Sequence, residues 1–365
     1  MKRKQAKYIL FHALMILMVL LFVETASSLF LYFKYRNRIP ELSGEGLRPA
    51  TGTLINNAIT KFTRKTLFFD KVSYIPNSFI VPDVAHGYKA APGEYIVRFA
   101  KSASGTLEYL NTKITIMTDG TRFTGSLPEQ PFKHVYVFGD SCVFGGGVND
   151  EQTFTYLLQS VFRHSAFHLY AMGGYSWSNA YINIMKIKEN ITADDIIVIG
   201  YAAFYKERHI PSPSRLKYLQ DWIDDTHPTQ PLNPDIKVLH TQMNEAGDIT
   251  FDTIPAYCRF NKTYCEQNNP SNDYVDHLSK ALLTLIAKQT TAKVFLLHFS
   301  GPSSDPVLAQ LPPNVELISA LPKDFDYEIQ DDILGFDDHP GPYWHHAMYS
   351  KLKERLGREL EARDQ

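Results

Sequence analysis

Residues 134–159 read HVYVFGDSCVFGGGVNDEQTFTYLLQ, and they contain the clearest indication of how this chain folds. Residues 135–138 form a short apolar run that predicts a buried strand, and residues 150–162 carry a helical pattern. Between them stand Gly139-Asp140-Ser141 and a glycine triplet at residues 145–147. Ser141 is therefore predicted to lie where a strand ends and a helix begins.

A serine at such a turn has two interpretations. A helix N-terminus presents unpaired N–H groups and the positive end of the helix dipole, so Ser141 is placed to attack a carbonyl while its own N–H holds the oxyanion. The alternative is an ordinary helix-capping serine. The open glycine backbone favours the nucleophile, because it lets a substrate approach closely. The stretch contains neither G-x-S-x-G nor G-x-G-x-x-G, so neither an α/β-hydrolase elbow nor a dinucleotide fold is predicted.

The C-terminal segment supplies the partners that a serine nucleophile requires. It reads Asp337-Asp338-His339-Pro340 before a predicted helix. In an Asp-x-His loop the carboxylate of Asp337 can hold one ring nitrogen while the other takes the serine proton, which makes His339 the general base. The rival hypothesis is a metal site of Asp337, Asp338, His339, His345 and His346. Because neighbours on a helix do not share a face, the two adjacent histidines argue against it, and no metal is predicted.

The chain from residue 134 onward alternates between strands and helices. Such alternation predicts a parallel sheet with helices on both faces, a three-layer α/β/α domain. Residues 206–272 form a long insertion after the third strand, which we expect near the carboxyl ends of the strands, where ligands bind. The predicted strands are residues 135–138, 167–172, 196–201, 294–299 and 315–318, and the predicted helices are residues 150–162, 178–188, 273–290 and 343–362.

The N-terminus carries a localisation signal. Basic residues 1–7 precede a largely apolar segment, residues 8–33. A spanning helix needs about 20 apolar residues. A signal peptide cut near residues 26–28 is the alternative, but apolar residues resume after the small ones, which favours an uncleaved single-pass anchor. The basic head is then cytoplasmic and the bulk of the chain periplasmic or extracellular.

The rest of the predicted organisation follows from composition. Residues 34–66 are a linker, residues 67–130 a small β-rich region with strands at 94–99 and 112–117, and residues 131–365 the main domain. The 37 basic and 39 acidic residues nearly balance, so nucleic acid is not an expected partner. Cys142 is predicted to be a small buried residue. Cys258 and Cys265 are expected to pair only if the compartment is oxidising.

Three segments resemble the sequence blocks of the SGNH (GDSL-type) hydrolases. GDSCVFGGGV at residues 139–148 is similar to the first block, and AMGGYSW at residues 171–177 to the second, in which the match to the oxyanion glycine falls on Gly174. DDHPGPYWHH at residues 337–346 resembles the last block, with Asp337 and His339 at the acid and base positions. On its own, Gly173-Gly174 is more typical of an ordinary tight turn than of an oxyanion donor.

The third block departs from that family. Where the pattern has G-x-N-D, with the Asn as a further oxyanion donor, this chain has Gly200-Tyr201-Ala202-Ala203. Ala202 has no side-chain donor. Three alternatives follow: Tyr205 or another residue supplies the donor, the enzyme is slow, or hydrolysis has been lost. Losing one such donor typically costs about 2.7–4 kcal/mol of transition-state stabilisation.

The resemblance implies a flavodoxin-like α/β fold and a cofactor-free serine hydrolase that acts on ester bonds. The expected substrate is an acylated glycan or a lipid near the membrane. Two alternatives stay open: an O-acyltransferase that passes the acyl group to a sugar hydroxyl, and a non-catalytic glycan- or partner-binding protein, which the missing Asn motivates.

Overall fold

The computed structural model describes residues 72–103, 106–226, 232–299, 305–319 and 339–360, which belong to one compact unit, Phe69–Gln365. The predicted anchor at residues 8–33, the linker at 34–66 and Asp337 lie outside these ranges. Across the described ranges, no helix combines the length and the apolar character that a bilayer crossing demands.

The β-rich region is built from five strands. These are β1 (Val72–Ile75), β2 (Ile80–Asp83), β3 (Gly87–Ala90), β4 (Gly93–Ala103) and β5 (Thr106–Ile116). Strands β1, β4 and β5 form an antiparallel sheet, and β2 pairs with β3 as a hairpin. Alternate residues of β4 point into the core, as the sequence pattern of residues 94–99 predicts.

The main domain begins with the segment at residues 134–159. Its first half contains β6 (Lys133–Gly139), α1 (Ser141–Phe144), α2 (Phe154–Val161), β7 (Ser165–Ala171), α3 (Trp177–Ile187) and β8 (Ile196–Tyr201). The predicted helix at residues 150–162 is divided, because Asp150–Gln152 is a 3₁₀ turn and α2 starts only after Thr153. The Thr153 hydroxyl accepts the N–H of Tyr156 and thereby caps a new helix start.

The predicted insertion has its own secondary structure. It contains α4 (Lys206–His209), α5 (Pro213–Thr226), β9 (Lys237–Met243), β10 (Ile249–Pro255) and α6 (Lys262–Cys265). Strands β9 and β10 form an antiparallel hairpin. Cys258 and Cys265 form a disulfide that closes a loop of seven residues.

The second half of the domain completes the sheet. It contains α7 (Asn272–Lys288), β11 (Lys293–His298), β12 (Val315–Ser319) and α8 (Pro342–Leu360). The last helix starts at a proline, which is favoured at the first helical position because its missing N–H has no intrahelical partner there.

The five central strands are all parallel, in the order β12-β11-β8-β6-β7. This is the flavodoxin-like order, and the prediction of a parallel α/β sheet is confirmed. All six residues of β8, the middle strand, are buried, as in a sheet covered on both faces. Helices α2 and α8 pack together, and α3 and α7 pack together; right-handed crossovers place the two pairs on opposite faces. After β6 and β7, the following strands are added on the other side of β6, so the strand order reverses between β6 and β8. The carboxyl ends of the strands at such a point are where these folds bind ligands.

Candidate active site

Ser141 lies at the carboxyl end of β6, at the point where the sheet order reverses. Asp140 caps α1, because its Oδ1 accepts the N–H of Cys142 at 2.9 Å. A Cβ atom on Gly139 would lie 2.2 Å from Cγ2 of Val143, so only glycine allows α1 to fold back this tightly over the strand. Within the described part of the chain, neither the N–H nor the hydroxyl of Ser141 makes a hydrogen bond. Both groups are available to a bound substrate.

His339 and Ser141 line the same cavity. Both contact the glycine loop that follows α1: a Cβ atom on Gly146 would lie 3.7 Å from Cδ2 of His339 and 3.9 Å from the carbonyl oxygen of Ser141. The fold therefore brings together the proposed nucleophile and base, which are almost two hundred residues apart in sequence. Asp337, the proposed orienting carboxylate, lies outside the described residues.

The Gly173–Gly174 loop lies on the other side of Ser141. A Cβ atom on Gly173 would be 3.9 Å from the Cβ of Ser141. Gly174 has a φ of 80°, in the left-handed region that favours glycine. Its N–H makes no hydrogen bond to any described residue. Two N–H groups with no hydrogen bond to a described residue therefore lie close to the carboxyl ends of neighbouring strands. That of Ser141 follows β6, and that of Gly174 follows β7.

Tyr88 of the β2–β3 hairpin fixes that loop. Its hydroxyl donates to the carbonyl of Gly173 at 2.5 Å, and its own carbonyl accepts the hydroxyl of Tyr175 at 2.8 Å. The sequence does not predict this role of Tyr88, because nothing in the local pattern links the hairpin to a loop 85 residues away.

Tyr205, predicted as an oxyanion donor, occupies a different place. It is fully buried, and its hydroxyl oxygen accepts the N–H of Asp140 at 3.0 Å. Among the described residues that line the cavity, neither Tyr205 nor Ala202 is present. Tyr205 therefore supports the turn from beneath, and burial raises the pKa of its phenol.

Arg208 pairs with the residue that precedes the nucleophile. Its Nη1 lies 2.6 Å from Oδ2 of the completely buried Asp140, and its guanidinium stacks 4.4 Å from the ring centroid of Phe204. Burial alone would lower the pKa of Arg208, but the carboxylate of Asp140 outweighs it and raises the pKa. The ion pair of Arg208 and Asp140 therefore belongs to the structure of the turn that carries Ser141.

Arg122 anchors the glycine loop from the opposite side. This buried side chain donates to the carbonyls of Phe144, Gly145 (2.6 Å) and Val148 (2.7 Å), and its Nε pairs with Asp150 at 2.9 Å. Burial lowers the pKa of Arg122, and Asp150 partly offsets this. Because the partners of Arg122 are mostly backbone carbonyls, no sequence motif predicts that it stabilises the glycine loop.

The rival metal hypothesis includes Asp337 and Asp338, which lie outside the described residues. Within the described ranges, no group of three His, Cys, Asp or Glu side chains could hold an ion. His345 is buried and stacks on Phe154, whereas His346 is exposed. Cys142, predicted to be buried, is partly exposed and lines the cavity instead. It follows Ser141 on α1 and points to the side of the turn that the cavity occupies.

The cavity has a volume of about 530 Å³, within the range of ligand pockets. One wall comes from the β-rich region and includes Tyr74, Phe79, Val97 and Phe99. The other comes from the insertion and includes Leu216, Leu219, Val238 and Tyr257. Both walls are largely apolar, and Ser141 lies where they meet the sheet.

Comparison with known proteins gives only remote likenesses. No family model and no curated protein matches the chain. Among solved structures it is similar to a member of the lipolytic protein G-D-S-L family from Veillonella parvula (14% identity, TM-score 0.34), to TesA (12%, 0.33) and to the psychrotrophic esterase EstA from Pseudoalteromonas (13%, 0.31). Each alignment covers 62% of this chain and 99% of the other. No activity is transferred from likenesses this distant.

Proposed function

We propose that this chain is a serine-dependent hydrolase of ester bonds, of the SGNH type that its sequence blocks resemble. The observation that carries the proposal is the convergence of Ser141, His339 and the Gly173–Gly174 loop on one cavity at the carboxyl ends of the parallel strands. These groups are a nucleophile, a base and a source of backbone N–H donors, which together are what acyl transfer from an ester requires.

The mechanism follows from the placement of these groups. The Ser141 hydroxyl attacks the ester carbonyl and gives its proton to His339, while the N–H groups of Ser141 and Gly174 bind the oxyanion. His339 returns the proton to the leaving alcohol, and a water activated by the same imidazole then hydrolyses the acyl-enzyme. Asp337, two residues before His339, is the proposed orienting carboxylate. With Ala202 at the third-block position, we expect slower turnover than three donors would give.

The proposed substrate is an acylated glycan or a lipid ester outside the cytoplasm, reached by a chain held at the membrane through residues 8–33. Support comes from the basic and apolar pattern of the N-terminus and from the disulfide between Cys258 and Cys265, a bond that persists in oxidising compartments. The apolar cavity walls suit an acyl group.

A fluorophosphonate probe tests the nucleophile. We expect the wild type to become covalently labelled, Ser141→Ala to remain unlabelled, and Ser141→Ala to lower kcat on a simple aryl ester by at least about a thousandfold. Ser160→Ala, an exposed serine on α2, is the matched control and should behave as the wild type. Equal labelling of the wild type and Ser141→Ala would contradict the proposal.

His339 needs a separate experiment. His339→Ala should lower both labelling rate and ester turnover, because no base then accepts the serine proton. Adding polysaccharide acceptors to the wild-type reaction distinguishes hydrolysis from O-acyl transfer: free acid as the main product supports the hydrolase, and acylated polysaccharide supports the transferase. A wild type that turns over no ester at all would favour a binding protein.

A further inference from the structure

Two arginines of the insertion, Arg208 and Arg215, line the cavity together with Ser141. They differ in what balances their charge. Arg208 is paired with Asp140 at 2.6 Å, so its charge is neutralised within the fold. Arg215 forms no ion pair with any residue that the structure describes.

The surroundings of Arg215 leave its charge without a direct counterion. The guanidinium carbon lies 5.1 Å from the ring centroid of Tyr218, and the side chain is partly buried on α5. Glu207 also lines the cavity but is exposed and makes no ion pair within the described chain. Burial lowers the pKa of Arg215 and the charge of Arg208 lowers it further, while Tyr218, Tyr88 and the charge of Glu207 offset these effects only in part. An anion bound in the cavity beside Arg215 would stabilise its positive charge against both burial and the repulsion from Arg208.

Arg215 shares the cavity with Ser141 and with Tyr88, whose hydroxyl holds the Gly173–Gly174 loop. Burial raises the pKa of Tyr88, and the charges of Arg208 and Arg215 both counteract that rise, so both guanidinium groups act on its hydroxyl. The same hydroxyl donates to Gly173 and lies against Gly174. Arg215 therefore lies on the same cavity as this loop and Ser141.

We propose that Arg215 binds an anionic group of the substrate, a carboxylate or a phosphate, so that the preferred esters are negatively charged. The inference rests on the proposed ester hydrolysis and adds the substrate class. A guanidinium suits this role, because its planar fork of N–H groups matches both kinds of oxyanion. The competing possibility is that Arg215 only covers apolar surface with its methylene stem.

Two pairs of matched esters test the proposal. One pair carries the charge on the acyl side: para-nitrophenyl hexanoate and mono-para-nitrophenyl adipate, in which a carboxylate replaces the terminal methyl group. The other carries it on the alcohol side: phenyl hexanoate and the hexanoate ester of para-hydroxybenzoate. In each pair the ratio of kcat/KM, anionic to neutral, is compared between the wild type and variants, which cancels differences in intrinsic reactivity.

For at least one pair, Arg215→Gln should lower the ratio of kcat/KM, anionic to neutral, by about ten- to a hundredfold. Arg215→Lys should retain most of the ratio, because it keeps the charge. Lys217→Gln, an exposed change on the same helix, should have no effect. The pair that responds shows on which side of the ester the anion lies.

One result would overturn the inference and leave the hydrolase intact: a ratio of kcat/KM that Arg215→Gln leaves unchanged in both pairs. An equal loss on the neutral and anionic esters belongs to this result and would indicate a packing role alone. Failure of the proposed function looks different, since the wild type would then turn over none of the four esters and take no label at Ser141.

Discussion

At the scale of single residues, the site depends on groups that the sequence motifs do not contain. The spacing of Gly139-Asp140-Ser141 and the Asp-x-His segment pointed to Ser141 and His339. Tyr88 and Arg122, which shape the loops on either side of Ser141, act mainly through backbone carbonyls. Any residue can supply a carbonyl, so such partners leave no trace in a sequence pattern.

Gly174 offers a test at this scale. Its φ is 80°, and a Cβ atom there would lie 2.4 Å from the Tyr88 hydroxyl. Gly174→Ala should therefore displace the loop and its N–H, and lower kcat by about a hundred- to a thousandfold, the typical effect of losing an oxyanion donor. Measured kcat and labelling rate check this.

Gly120→Ala is the matched control for Gly174→Ala. Its φ is 88°, and nothing lies within 4 Å of the added Cβ. It carries the same backbone strain, about 1–2 kcal/mol, without the contact. We expect reduced stability and unchanged kcat from Gly120→Ala. Full kcat in Gly174→Ala would argue against an oxyanion role for that N–H.

At the scale of elements, periodicity located the sheet well. The predicted strand at residues 196–201 coincides with β8, and the one at 315–318 lies within β12, because both are bounded by polar or turn-forming residues. Periodicity did not resolve the insertion, where α5 and the β9–β10 hairpin lie among proline, asparagine and aspartate residues. These elements are held by tertiary contacts, such as the Ser178 hydroxyl bonded to Thr241 of β9 at 2.6 Å, and propensity alone does not report such contacts.

The disulfide of the insertion yields the next prediction. Closing a loop of seven residues removes conformational freedom from the unfolded chain, worth about 2 kcal/mol in the loop-entropy model. Replacing Cys258 and Cys265 together by serine should lower the thermal midpoint under non-reducing conditions. The wild type treated with a reductant should match the double variant. Cys142→Ser, which keeps the disulfide, serves as the control, and an unchanged midpoint in the double variant would contradict the prediction.

At the scale of the whole molecule, buried histidines tie stability to pH. Burial lowers the pKa of His209 to about 3, helped by the charges of Arg208 and Lys206, and lowers the pKa of His345 to about 3, helped by Arg122. Both values lie below the ordinary 6.5. Between pH 6.5 and 3 the unfolded chain therefore binds protons that the folded chain does not, so the free energy of unfolding falls as the pH falls.

His345→Asn should flatten this dependence by up to about 1.4 kcal/mol per pH unit within that window. Denaturant unfolding at several pH values measures it. His346→Asn, at the exposed neighbouring position on α8, is the control and should leave the slope unchanged. If His345→Asn gives the wild-type slope, the histidine is protonated in the folded state.

The hydrogen bonds of Arg122 also determine where the chain can be truncated without loss of the site. Arg122 belongs to the segment between β5 and β6, and its backbone bridges Ile116 of the β-rich region to Leu169 of β7. A truncated chain that starts at residue 131 would keep every sequence block of the hydrolase family. It would nevertheless lose Arg122, whose guanidinium donates to the carbonyls of Phe144, Gly145 and Val148 in the loop after Ser141. If such a fragment were inactive, the cause would be the lost support of the loop after Ser141, and the inactivity would say nothing about the catalytic residues. Truncated chains made to measure activity should therefore start before β1.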